Sequence, residues 1–265
     1  MLDGSLMNEQ SASVMDRVLR YRKTPIPVLE QQNWPEIRKM PIEESNEPLV
    51  GLDAYPERFV NHPEYYMQGF PGSLPILYTR MGVYGRLVKA ASMLPLGYKF
   101  VFLDTWRPVE VQQSLFDTYK TRLASDNPGV NDEELTGMAL KFVALPSFDN
   151  KKPSPHNTGG ATDLTIADDR GIWLNMGTYF DEMTDRTCTR YYEEKLEKGE
   201  ALSDTETDIL ENRRLLFHIM IAMGFTNYTD EWWHYDYGDQ LWAWHNNGQV
   251  TAIYGRAKPT FAWAK

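Results

Sequence analysis

The sequence predicts a well-packed globular protein that combines helices and strands. Of its 265 residues, 42% are hydrophobic and 13% are aromatic, a composition typical of a folded chain rather than a disordered one. A chain of this length can bury a sizeable core as one large domain or two small ones. The sequence contains neither repeats nor a linker-like segment. We therefore expect one globular unit overall.

Two regions differ in character along the chain. Residues 1–80 are polar, rich in proline and then rich in turn residues and aromatics, with a short helix indicated at residues 14–21. We expect residues 1–80 to form an extended N-terminal arm packed on the domain formed by residues 81–265.

Regular elements are predicted from residue 81 onward. Residues 81–94 carry apolar side chains at helical spacing and end before Pro95. The apolar residues 100–103 predict a buried strand over residues 99–104, and Pro108 begins a helix that continues to Tyr119. Two more helices are predicted, one at residues 132–142 and one from the capping box at residues 203–206 to Gly224. Strands are predicted at residues 161–166, 225–228 and 231–237. A hairpin-like turn is predicted at residues 168–171.

Charge and cysteine content narrow the class of protein. The net charge of −10 disfavours a nucleic-acid or anionic-membrane partner, because binding either requires clustered Lys and Arg. The single cysteine, Cys188, rules out an intramolecular disulfide framework. Residues 1–18 lack a basic segment followed by an apolar run, and no stretch approaches the roughly 20 apolar residues of a membrane span. We therefore expect a soluble protein of the cytoplasm.

The chemistry is concentrated in residues 154–163, whose sequence is SPHNTGGATD. The glycines permit a tight turn with positive φ, and the residues that follow favour a strand. His156 would then lie on a loop and Asp163 on the strand, with both side chains able to reach one ion. A catalytic zinc usually takes three protein ligands and leaves a position for water. His234, in the segment EWWHY at residues 231–235, is the third candidate.

Glu231 and His234 impose a geometric condition on that segment. Its aromatic residues favour a strand, and positions three apart in a regular strand face opposite sides. Both side chains can serve one site only if Glu231 lies in the turn before the strand, or if the strand carries a bulge.

Spacing alone leaves other interpretations open. The two histidines could be ordinary hydrogen-bonded residues with Glu231 at the surface, and Arg107 at the exit of a predicted strand could be a surface charge. Nucleophilic catalysis has no clear candidate, because Cys188 has no histidine near it in sequence and no G-x-S-x-G motif is present. No glycine-rich phosphate loop is present either.

Several motifs together resemble a known family. The pattern S-x-H-x-x-G-x-A-x-D at residues 154–163, followed by E-x-W-H at residues 231–234, resembles the D-alanyl-D-alanine dipeptidases of the vancomycin-resistance type. These zinc peptidases share their fold with the Hedgehog signalling domain. Three further segments match the dipeptidase branch: DTWRP at 104–108, MGTYFDEM at 176–183 and NRR at 212–214. The resemblance covers roughly residues 81–237, and the part before it is longer than is usual in the family.

The resemblance implies an α+β fold in which helices flank a small antiparallel sheet. It also implies one zinc ion per chain, bound by His156, Asp163 and His234, with Glu231 as the general base.

Three more residues receive roles from the resemblance. Arg107 would stabilise the developing oxyanion, and Ser154 would lie beside the metal in the substrate pocket. Asp181 would bind the free ammonium of the substrate. A dipeptide is a zwitterion, so an enzyme restricted to dipeptides needs such an anion, whereas an endopeptidase does not.

The implied activity is zinc-dependent hydrolysis of D-alanyl-D-alanine, a small dipeptide, with water attacking the peptide carbonyl. One alternative is a D,D-carboxypeptidase or endopeptidase acting on the stem peptides of peptidoglycan in the cell wall, against which the lack of an export signal counts. Another is a non-catalytic, zinc-stabilised binding module, against which Glu231 and Arg107 count because a structural site needs neither. A homo-oligomer stays open.

Overall fold

The strands of the protein form two sheets. A computed structural model describes residues 4–140, 143, 145–182 and 184–259 of the chain. Within these ranges a two-stranded sheet pairs β1 with β3, and a five-stranded sheet has the order β2-β4-β5-β7-β6. The strands are β1 (Leu49–Gly51), β2 (Phe59–Asn61), β3 (Tyr78–Arg80), β4 (Lys99–Asp104), β5 (Ala161–Ala167), β6 (Thr226–Asn227) and β7 (His234–Asp236).

Helices surround these sheets, so the expected α+β class is confirmed. All pairs in the five-stranded sheet are antiparallel except β2 with β4, which is parallel. The helices are α1 (Gly4–Lys23), α2 (Trp34–Ile37), α3 (Glu64–Met67), α4 (Met81–Ala91), α5 (Val109–Asp126), α6 (Asp132–Ala139), α7 (Pro155–Thr158), α8 (Tyr191–Glu197), α9 (Asp204–Ala222) and α10 (Gln240–His245). Among the helices of the described ranges, none combines the length and the apolar character needed to cross a membrane.

Residues 1–80 contribute more regular structure than we expected. The short helix predicted at residues 14–21 is the second half of α1, a helix of 20 residues that packs against α9. Strand β2 also belongs to this segment and forms an edge of the main sheet. Its pairing with β4 joins residues about 40 positions apart, and no local pattern signals such a contact. The division of the chain at residue 80 stays a prediction.

The elements predicted after residue 81 are found, with shifts at their ends. Strand β4 covers the predicted residues 99–104, whereas α5 continues to Asp126 instead of ending near Tyr119. Helix α9 begins with the predicted capping box, in which Ser203 and Glu206 each bond to the backbone of the other. The predicted end of α6 at residue 142 lies outside the described residues.

Strand β5 is the centre of the fold. It is buried along its whole length because β4 and β7 flank it and side chains cover both faces of the sheet. On one face Leu164 and Ile166 join the main core with α4 and α9, and on the other Ala167 packs with Val101 and Leu103 of β4. A strand fixed in this way gives the side chains at its ends defined positions.

Candidate metal centre and active site

The three predicted ligands meet at one end of β5. Asp163 lies on β5 directly opposite His234 of β7, and His156 lies on the short helix α7 that precedes β5. Helix α7 ends at Gly159, whose φ of 73° turns the chain into the strand. One ligand atom from each of the three buried side chains lies within 4.8 Å of the others.

Hydrogen bonds outside this group fix the orientation of both imidazoles. Nδ1 of His156 lies 2.7 Å from the carbonyl oxygen of Thr105, and Nε2 of His234 lies 2.9 Å from Oδ1 of Asp236. Because these oxygens accept hydrogen bonds, the two nitrogens facing them donate. The remaining nitrogens, Nε2 of His156 and Nδ1 of His234, then carry lone pairs directed towards Asp163.

The inner atoms fit a single divalent cation. Nε2 of His156 lies 3.2 Å from Nδ1 of His234 and 3.3 Å from Oδ2 of Asp163, and Nδ1 of His234 lies 3.0 Å from Oδ1 of Asp163. Two ligands about 2.0–2.1 Å from a tetrahedral ion are themselves about 3.3 Å apart. Oδ1 of Asp163 is buried and faces Nδ1 of His234, so their lone pairs would repel each other unless a proton or a metal ion supplied a positive charge between them.

The surroundings of His234 also favour a positive charge. Burial opposes protonation of His234, but the carboxylates of Asp236 and Asp163 outweigh it and hold the pKa of the imidazole well above its usual value. Without a metal ion the imidazole of His234 therefore holds a second proton, which a bound metal ion would replace. The pKa of Asp239, which lies against Asp236, is raised by burial and by the charge of Asp236.

Glu231 lies in the turn before β7 and not within the strand. Its side chain and that of His234 can therefore face the same site, although they are three positions apart. Its Oε2 is 3.7 Å from Nδ1 of His234. The buried amide of Asn227 holds the turn by donating to the carbonyl oxygens of Glu231, at 3.2 Å, and His234, at 2.9 Å. Thr189 in turn donates to Oδ1 of Asn227 at 2.7 Å. This network keeps the carboxylate of Glu231 beside the ligand group.

The environment of Glu231 suits a base. Desolvation raises the pKa of its carboxyl group, with a smaller opposing effect from His234. The side chain as a whole is 32% exposed, so solvent reaches part of it. A raised pKa makes the carboxylate a stronger proton acceptor than an exposed glutamate.

Arg107 is connected to the ligand group through Asp104. Its Nε and Nη2 lie 2.8 and 2.7 Å from Oδ2 of Asp104, and the same oxygen is 3.1 Å from Nδ1 of His156. Nη1 of Arg107 donates to Gln112 at 2.5 Å. Burial would lower the pKa of Arg107, but Asp104 and neighbouring groups outweigh this and raise it, so the guanidinium stays protonated.

Asp181 reaches the same region through Tyr65. The hydroxyl of Tyr65 donates to Oδ2 of Asp181 at 2.7 Å and accepts from Nη2 of Arg107 at 3.2 Å. The backbone of Asp181 has a φ of 56°, which is unusual for a residue other than glycine. Burial raises the pKa of Asp181 to about 6, although Tyr65 and Arg107 oppose the shift.

Ser154 immediately precedes the helix that carries His156. Its hydroxyl oxygen is buried and has no hydrogen-bond partner among the described residues. A buried donor left without a partner is available to a bound molecule. Its role in substrate binding stays a prediction.

Sequence reasoning missed four residues that orient these groups: Tyr65, Asp104, Asn227 and Asp236. Asp104 belongs to the quoted DTWRP segment, and Asp236 follows His234 by two positions, so both could have been proposed as partners of the histidines. Tyr65 and Asn227 lie in segments that carry no recognisable signal of this kind. Met183, the last residue of the quoted MGTYFDEM segment, lies outside the described residues.

Comparison with known proteins identifies the family of the chain. Residues 76–252 match the model of the peptidase family M15, described as D-ala-D-ala dipeptidase. The matched region contains the seven side chains predicted to form the site.

Individual relatives extend the match beyond that region. A D-alanyl-D-alanine dipeptidase of Synechocystis sp. is 32% identical over 240 residues, which cover 83% of this chain and 95% of the relative. Relatives with the same name from Escherichia coli and Enterococcus faecalis are 29% and 28% identical, and the matches span 61% and 65% of their lengths. The chain is therefore a peptidase and belongs to the D-ala-D-ala dipeptidase family.

Proposed function

We propose that this chain hydrolyses D-alanyl-D-alanine with one zinc ion bound by His156, Asp163 and His234. The observation that carries the proposal is the meeting of three buried ligand atoms with a carboxylate, Glu231, 3.7 Å from one of them. When bound, zinc supplies Lewis-acid activation of water and of the scissile carbonyl. The family supports the dipeptide as the substrate class.

Glu231 performs the proton transfers in this proposal. Its carboxylate takes a proton from the attacking water and delivers it to the leaving amine. The partial exposure of the side chain allows water to approach, and its raised pKa favours proton uptake near neutral pH. Asn227 holds the backbone of the turn, so the carboxylate is in place before substrate binds.

Arg107 and Asp181 act on one charge that develops during the reaction and one that the substrate carries. The guanidinium of Arg107 stabilises the negative charge that develops on the carbonyl oxygen. Asp181 pairs with the free ammonium of the dipeptide, and Tyr65 links the two groups and fixes their separation. This arrangement restricts the substrate to a molecule with a free amine close to the scissile bond.

The test is the activity of purified, zinc-loaded protein on D-Ala-D-Ala, L-Ala-L-Ala and N-acetyl-D-Ala-D-Ala. We expect cleavage of the first and little of the other two. In Glu231→Gln the shape is retained and the base is lost, so turnover should fall at least about a hundredfold with zinc still bound.

A neighbouring carboxylate provides the control. Asp230 lies on the same turn and contacts Gln31 at the surface, so Asp230→Asn should retain activity within about twofold. Near-normal turnover in Glu231→Gln would remove Glu231 as the base. Equal cleavage of the acetylated and free peptides would instead indicate a carboxypeptidase.

A further inference from the structure

The NRR segment at residues 212–214 contains a buried cation that the proposed reaction does not use. Arg213 lies on α9 with 1% of its surface exposed. Desolvation lowers its pKa to about 10, so the guanidinium is still protonated at neutral pH. In the described part of the chain no carboxylate forms an ion pair with it. A buried charge without an opposite charge is costly, which calls for a specific role.

The guanidinium of Arg213 holds both ends of one loop. Its Nε donates to the carbonyl oxygen of Met176 at 2.8 Å, and its Nη1 and Nη2 donate to those of Cys188, at 2.8 Å, and Arg186, at 2.6 Å. Between these attachment points the structure describes residues 177–182, 184 and 185, which include Asp181 and which we call the Asp181 loop. One planar side chain thus joins the residues at which the loop leaves and re-enters the fold.

Neighbouring side chains strengthen this junction. The amide of Asn212, next to Arg213, donates to the carbonyl oxygen of Asn175 at 2.9 Å. The guanidinium carbon of Arg213 lies 5.0 Å from the ring centre of Tyr192 and 5.9 Å from that of Trp232. Trp232, which follows Glu231 in the chain, donates from Nε1 to Thr178 in the Asp181 loop at 2.8 Å.

The first residue of the loop fits tightly against the same cluster. Gly177 has a φ of 90°, and a Cβ at this position would lie 2.6 Å from the hydroxyl oxygen of Tyr192. The loop therefore begins in a defined direction beside α9, and Asp181 keeps its φ of 56° inside a segment fixed at both ends.

We propose that Arg213 is a positioning residue for substrate specificity, which sets the place of the Asp181 carboxylate by closing the base of the Asp181 loop. The inference rests on the proposed role of Asp181 as the partner of the dipeptide ammonium. Only the planar fork of arginine bonds three carbonyl oxygens in fixed directions, whereas lysine keeps the charge and loses that geometry. Ammonium binding persists from the ground state to the transition state, so its loss raises KM more than it lowers kcat.

The experiment compares Arg213→Lys with Arg214→Lys. Arg214 is the next residue of α9 and makes a two-point contact with Glu193, away from the Asp181 loop. In Arg213→Lys we expect KM for D-Ala-D-Ala to rise about tenfold or more, since small displacements of positioning groups have effects of this size. Zinc content should be unchanged, and hydrogen exchange of residues 177–186 should be faster. Arg214→Lys should change neither KM nor exchange in these residues.

A second variant tests the same junction in case Arg213→Lys does not fold. Asn212→Leu removes only the bond to Asn175 and should raise KM by a smaller factor in the same direction. If both variants fold and keep the KM and exchange rates of Arg214→Lys, the positioning role is wrong.

Asp181→Asn, measured in parallel, separates this inference from the proposed function. If Asp181→Asn raises KM and Arg213→Lys does not, only the role of Arg213 fails. If Asp181→Asn leaves KM unchanged, the ammonium-binding role fails and the specificity inference fails with it.

Discussion

Asp236 offers a direct test of how the metal centre is held. Its carboxylate is fully buried and accepts a hydrogen bond from Nε2 of His234 at 2.9 Å, which directs Nδ1 towards Asp163. Asp236→Asn keeps an acceptor but loses the charge, whereas Asp236→Ala leaves the imidazole N–H without a partner. Loss of such a partner typically weakens metal binding about 10- to 100-fold, or about 1.4–2.7 kcal/mol. We expect Asn near the lower value and Ala near the upper one.

Competition with a chromophoric chelator measures the zinc dissociation constant for this test. Asp168→Asn is the matched control, because Asp168 is also a buried aspartate that accepts several hydrogen bonds, from Arg170 and Ile172. It lies at the opposite end of β5 from Asp163, so its replacement should lower stability without changing zinc affinity. If both Asp236 variants bind zinc as tightly as the unmodified protein, the orientation of His234 does not depend on Asp236.

Two further predictions concern the ligands and the pH dependence. Replacing His156, Asp163 or His234 with alanine should each abolish the stoichiometric zinc measured by atomic absorption, and full metal content in one variant would remove that residue from the ligand set. Because burial raises the pKa of Asp181 to about 6, its carboxylate is charged above that pH and neutral below it. For D-Ala-D-Ala, kcat/KM should therefore fall as the pH drops through about 6. Asp181→Asn should lower kcat/KM and remove this limb of the profile; a limb unchanged in that variant would assign it to another group.

The parts of the fold that could be predicted from sequence are those with local causes. The run of apolar residues at 100–103 is long enough to mark a buried strand, and the capping box at residues 203–206 marks the start of α9 by bonds within one turn. Strand β2 has no such signal. It has three residues, and its parallel pairing with β4 depends on how residues 1–80 return to the sheet.

The residues of the candidate site likewise include some that local motifs predict and others that only the fold brings together. His156, Asp163 and His234 were predicted because the first two lie within one short motif and the third belongs to a second distinctive motif. The bond between Tyr65 and Asp181 joins residues 116 positions apart, and neither neighbourhood predicts the other. The only sequence signal at Arg213 is its place in the NRR segment that resembles the family. The groups that it bonds are backbone carbonyl oxygens, which every residue has and which therefore give no sequence pattern.

An irregularity in β4 explains why the ligand group and Arg107 form one network. Along β4 and β5, Phe102 lies opposite Leu164, but Asp104 lies opposite Asp163, so one extra residue is present in β4. Without this bulge Leu103 would face Asp163, because a regular antiparallel pair advances one residue on each strand. The bulge instead sets the carboxylate of Asp104 against Nδ1 of His156, whose Nε2 faces Asp163.

That placement connects the candidate metal ligands to Arg107. The oxygen of Asp104 that contacts His156 also contacts Nε and Nη2 of Arg107, three residues further along the same strand exit. A shift in the register of β4 against β5 would therefore move His156 and Arg107 together. The relative position of the candidate metal ligands and the guanidinium thus depends on the pairing of β4 with β5, a strand that is buried along its whole length.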